Sequence, residues 1–114
     1  MVVTSGLRRR GVISQMNDRT IRVVARIAAR PDKIAELQAV LIGMVEPTRK
    51  EKGCISYVMH QNTASACDFV CIEEWESHAA LDAHLKAPHM QEAFAKAGPL
   101  VAGAPEISTY TVIE

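Results

Sequence analysis

Cys54-Ile55-Ser56-Tyr57-Val58-Met59-His60-Gln61 is followed, after a short polar stretch, by Phe69-Val70-Cys71-Ile72-Glu73-Glu74-Trp75-Glu76. Both runs alternate with period 2, the signature of strands that bury one face. Ile55, Tyr57 and Met59 are expected on one side of the first, with Ser56, Val58 and His60 on the other. Phe69, Cys71, Glu73 and Trp75 share a side of the second. Asn62-Thr63-Ala64-Ser65-Ala66 reads as a loop, and so short a connection makes the pair an antiparallel hairpin.

Working outward from the hairpin fills in the fold. Ile21 to Arg30 also alternates: Ile21, Val23, Ala25, Ile27 and Ala29 lie opposite Arg22, Val24, Arg26 and Arg30. Pro31-Asp32 is expected to open a helix, with proline tolerated in its first turn and aspartate favourable at the positive end. Ile34, Leu37, Leu41, Met44, Val45 and Thr48 recur at helical spacing. Pro47 lacks an N–H and should kink that helix or tighten its last turn, and Gly53 suits a left-handed position beyond its end. After the hairpin, Ser77 is the expected N-cap of a second helix carrying Leu81, His84 and Leu85 on one face. Pro88 interrupts it, and a new helical stripe restarts with Met90, Ala93, Phe94, Ala97 and Val101. Ile107 to Ile113 reads as a last strand. The order is therefore β-α-β-β-α-β, an α+β ferredoxin-like arrangement with two helical segments covering one face of a four-stranded antiparallel sheet. Val24, Val70, Ile72 and Val112 fall on the opposite face. Apolar sheet faces usually mark interfaces, so a two-fold homodimer with the sheets packed together is expected.

Composition narrows the function classes. The 114 residues are 48% hydrophobic and 23% charged, so the chain suits a single globular domain. Its 13 basic and 13 acidic groups cancel. That zero is a sum over unlike parts: residues 1–20 hold four arginines against one aspartate, and the remainder is net acidic. A nucleic-acid surface is therefore not expected. Residues 1–19 are expected to be a flexible extension preceding one domain over 20–114, because Arg8-Arg9-Arg10 is followed by no apolar targeting segment. No run of about 18 apolar residues predicts a membrane span. The three cysteines, Cys54, Cys67 and Cys71, have no doubled CxxC spacing and read as reduced thiols of a cytoplasmic protein.

The densest chemistry lies at Glu73-Glu74-Trp75-Glu76-Ser77 and His84. Phe69, Trp75 and His84 can line one cleft between sheet and helix, apolar with a few convergent polar groups. Each also has a plain structural reading: a tryptophan at a strand end is often core, and a histidine on a helix is often only satisfied. Glu73 on an apolar face is more informative, since a buried carboxylate needs a partner. It can pair with an arginine of the first strand, orient His84, or bond a substrate hydroxyl. His60 can reach the end of the cleft. No metal is expected: His84 and His89 are five apart across Pro88, not the i, i+4 pair of a helical zinc site. No phosphate-binding glycine loop or nucleophile elbow is present.

Ile72-Glu73-x-Trp75-Glu76-Ser77 and Ala80-Leu81-x-Ala83-His84-Leu85-x-x-Pro88-His89-Met90, with Lys50-Glu51-x-Gly53-Cys54-x-x-Tyr57 before them, resemble the antibiotic biosynthesis monooxygenase (ABM) domain, most closely the bacterial quinol monooxygenases. The resemblance covers residues 20–114. It implies a dimeric α+β barrel and oxidation of quinols or polycyclic phenols by O₂ with neither metal nor other cofactor. It places His84 and Trp75 at pocket positions and Tyr57 and Glu73 among recurrent motif residues. On this reading His84 is the base, with Glu73 orienting it or the substrate. Trp75, Tyr57, Phe69 and His60 bind a small aromatic or quinone-like substrate. Because the family is functionally mixed, an isomerase or lyase on a hydroxy-ketone, a non-catalytic binding module and a haem-degrading protein remain alternatives.

Overall fold

A computed structural model describes residues 20–114; the expected N-terminal extension lies outside the described residues. Strand β1 (Ile21–Ala28) buries alternate residues, as its period requires. A turn follows in which the Lys33 N–H donates to the Arg30 carbonyl at 2.9 Å. Pro31 therefore occupies the second position of a β-turn, which its fixed φ suits, and helix α1 (Ile34–Gly43) begins three residues later than the sequence suggests. The expected kink is a full break. Pro47 cannot donate to the Gly43 carbonyl, so α1 stops there and a short helix α2 (Val45–Arg49) restarts beyond Met44.

Strands β2 (Cys54–Gln61) and β3 (Asp68–Trp75) form the antiparallel hairpin. A β-bulge between Cys54 and Ser56 shifts the register, so Ile55 turns to solvent, against expectation, while Tyr57 stays inward. Ser77 caps helix α3 (His78–Lys86), its Oγ accepting from the Ala80 N–H at 3.1 Å. Ala87 is extended, as the residue before a proline tends to be, and Pro88 opens helix α4 (Pro88–Ala97). A 3₁₀ turn (Gly98–Leu100) leads to β4 (Glu106–Tyr110). That strand ends three residues short of the expected Ile113. Its neighbour among the described residues, β1, starts at Ile21, so the ladder runs out just past the Arg22–Tyr110 pair.

The sheet order is β2-β3-β1-β4, antiparallel throughout: the ferredoxin-like arrangement. Val23, Ala25, Phe69, Cys71 and Trp75 form its inner face and pack under Leu37, Leu41, Leu81 and Met90 of the helices. The outer face carries exposed Val58, Ile72 and Tyr110 beside half-buried Val24 and Val70. Two ion pairs, Arg22–Glu74 at 3.5 Å and Arg26–Asp68 at 3.2 Å, flank this strip. Val112 lies beyond the last strand and does not join it. Among the described residues no helix is long and apolar enough to cross a membrane.

Candidate active site

Between the inner sheet face and the helices lies a cavity of about 250 Å³. Ligand sites commonly occupy about 300–1,000 Å³, so this one suits a single small molecule. Val23, Ala25, Ile27, Leu41, Met44, Leu81, Met90 and Phe94 make its wall apolar. The polar groups on it are few: Tyr57, Cys71, Glu73 and His84.

His84 is 1% exposed and sits on the inward stripe of α3 beside Leu81. Its ring packs on Trp75, centroids 4.6 Å apart, and meets Tyr57 edge-on at 5.7 Å. Its Nδ1 lies 2.7 Å from Oε2 of Glu51. With Nδ1 donating to that carboxylate, Nε2 is the acceptor nitrogen, and no hydrogen bond to it forms among the described residues.

The same Glu51 oxygen lies 3.0 Å from Nε2 of His89, which also faces Thr48 Oγ1 at 3.1 Å. The ligand atoms of Glu51, His84 and His89 all fall within 4.8 Å of one another, so the three could close on a divalent ion. The 2.7 Å separation is that of a charge-assisted hydrogen bond, and the 3.0 Å one becomes a hydrogen bond when Glu51 Oε2 or His89 Nε2 carries a proton. Glu51 is placed by the turn after α2. Gly53 adopts φ of +90° there, and its carbonyl accepts from the Glu76 N–H at 2.9 Å, tying the turn to the start of α3. A Cβ on Gly53 would fall 2.6 Å from the Ala80 Cβ, so only glycine permits this approach.

Glu73 is 5% exposed, and its Oε1 accepts from the Trp75 indole N–H at 2.8 Å. Burial pushes its pKa above the usual carboxylate value, against the opposing pull of the Trp75 hydrogen bond and of His84. It therefore orients the tryptophan; His84 is oriented by Glu51. The expected arginine partner is also not its neighbour, since Arg22 and Arg26 lie on the outer face. Burial likewise raises the pKa values of the Tyr57 phenol and the Cys71 thiol, so both stay neutral, and the Tyr57 hydroxyl interacts with Cys71 and Thr48.

The sequence-predicted residues thus divide. His84, Glu73 and Tyr57 meet at the cavity. Trp75 stands behind it as the platform under His84, fully buried. Phe69 is core, and neither ring forms part of the wall. His60 pairs with Val70 on the outer face, where its Nδ1 lies 3.1 Å from the Val58 carbonyl, away from the cavity. Glu51 and His89 were missing from the expected site. Both lie within the motif stretches, but their meeting depends on the Ala87–Pro88 break, which brings α4 back beside α3.

The sequence and fold are similar to those of known proteins. A protein of Synechocystis, "Uncharacterized protein sll1783", is 36% identical over 85% of this chain and 66% of its own length. "Putative monooxygenase Rv0793" of Mycobacterium tuberculosis is 38% identical over 71% of this chain and 79% of its own. Its solved structure superposes with a TM-score of 0.79, covering 83% of this chain and 96% of that one. "Probable quinol monooxygenase YgiN" of Escherichia coli is 39% identical over 62% of this chain and 78% of its own. The family model described as Antibiotic biosynthesis monooxygenase matches residues 20–96, spanning β1 through α4 and therefore His84 and its neighbours: the chain belongs to that family.

Proposed function

We propose that this chain is a cofactor-independent monooxygenase that oxidises a quinol or phenolic aromatic with O₂, working as a homodimer. The observation that carries the reading is His84: a buried imidazole, held at Nδ1 by a carboxylate, with Nε2 unpaired among the described residues, on a largely apolar cavity. A deprotonated quinol is far more easily oxidised than its neutral form. Nε2 takes the hydroxyl proton, general base catalysis worth roughly 10²–10⁴-fold. The neutral Tyr57 hydroxyl donates to a substrate oxygen and stabilises the charge that develops there. The substrate supplies the electrons: one atom of O₂ enters the ring and the other leaves as water, giving a hydroxyquinone from a hydroquinone. The name of the Escherichia coli relative supports the substrate class.

The test is oxygen uptake by the purified protein with a panel of mono- and bicyclic hydroquinones, with ¹⁸O₂ followed into product. Uptake with one label retained supports the reading. Binding without uptake makes the chain a binding module, and turnover of a hydroxy-ketone under nitrogen makes it an isomerase.

A further inference from the structure

The Glu51 carboxylate stands between two spaces. On one side His84 borders the internal cavity. On the other, His89 borders a separate groove of about 390 Å³ between α1 and α4, with Glu92 and Lys96 along it. One oxygen, Oε2, touches both rings, at 2.7 and 3.0 Å. Side-chain exposure rises along the series, from 2% at His84 to 16% at Glu51 and 25% at His89. His84 is itself buried, and its Nδ1–H leads to Glu51.

We propose that His84, Glu51 and His89 form a proton path between the cavity and the α1–α4 groove. The inference rests on the proposed function, which requires a proton to leave the substrate. In the outward direction the substrate O–H bond breaks and a bond to His84 Nε2 forms. The Nδ1 proton passes to Glu51 Oε2, and from there to Nε2 of His89. In the Nδ1–H tautomer of His89 that nitrogen is an acceptor, and the Thr48 hydroxyl 3.1 Å away donates to it until the proton arrives. The His89 imidazolium then releases its Nδ1 proton to water in the groove. No electron moves along the path: one substrate proton is exchanged for one proton in solvent. On the return, the His84 Nε2 proton goes to reduced oxygen, His84 Nδ1 recovers a proton from His89 Nε2 through Glu51 Oε2, and His89 takes one from water at Nδ1, which restores both histidines. The ionisable groups bordering the path are Glu73, Tyr57 and Cys71 at the cavity end and Glu92 and Lys96 at the groove end.

The test is His89→Gln in the full chain. Glutamine keeps a polar side chain of similar reach beside Glu51 but cannot carry the proton. Turnover with a hydroquinone should fall about tenfold or more with KM unchanged, and added imidazole should restore it in proportion to its concentration. Turnover that does not fall, or that falls and is not restored, overturns the path. A second measurement is independent of activity: exchange of the ¹⁵N-labelled His84 Nδ1 proton with water, followed by NMR, should slow about tenfold or more in His89→Gln. Unchanged exchange overturns the path whatever the turnover. Slowed exchange in a protein that oxidises no quinol supports the path and removes the oxygenase reading.

Discussion

At the residue scale, two carboxylates with different surroundings divide the work. Glu51 is partly exposed and holds two histidines, whereas Glu73 is buried and holds one indole N–H. The raised pKa of Glu73 has a consequence for stability. A carboxyl group whose folded pKa exceeds its unfolded value contributes stability below the unfolded pKa, and loses it as pH rises through the folded pKa. Glu73→Gln keeps the acceptor for Trp75 and removes the titration. We expect the stability of Glu73→Gln relative to the parent, measured by denaturant unfolding, to increase as pH is raised from about 4 upward. A difference that stays flat with pH would show that Glu73 is not desolvated. The position of His84 was legible in the sequence because it falls on the apolar stripe of its helix and within the motif that carries the family resemblance. Its partner was not: residues 51 and 84 are far apart in the chain, and charged residues such as Glu51 are ordinary in a turn.

At the element scale, the turn between α2 and β2 aims Glu51, and Gly53 makes that turn possible. Gly53→Ala places a Cβ against Ala80 at a left-handed backbone position. We expect a loss of about 2 kcal/mol or more in unfolding free energy, and weaker turnover in the fraction that folds, since the same turn positions Glu51. Unchanged stability would contradict the close approach. The strands were legible because half-buried strands carry their own period. The departures have one kind of cause. The bulge at Ile55 and the early end of β4 are set by what neighbouring strands offer as partners, and the late start of α1 by a turn that competes for Pro31. None of these is a property of the segment alone.

At the scale of the whole molecule, the helices of the described residues cover one face of the sheet. The outer strip of Val24, Val58, Val70 and Ile72 is flanked by the Arg22–Glu74 and Arg26–Asp68 pairs, an arrangement suited to a second sheet packed about 10 Å away. We expect the parent protein to run as a dimer in light scattering coupled to size exclusion. Ile72→Asp should run as a monomer, because it would bury an unpaired charge in the interface. A parent that is monomeric at micromolar concentration, or a variant that stays dimeric, would contradict face-to-face pairing. The inner face, whose core is mostly aliphatic, leaves the cavity where His84 meets it. Of the chain's five aromatic side chains, two, Trp75 and Tyr57, are spent on holding that histidine. The most direct measurement is therefore the rate of oxygen uptake with a saturating hydroquinone, parent against His84→Ala. We expect a fall of roughly 10²–10⁴-fold with the fold intact by circular dichroism; an unchanged rate would remove His84 from the chemistry.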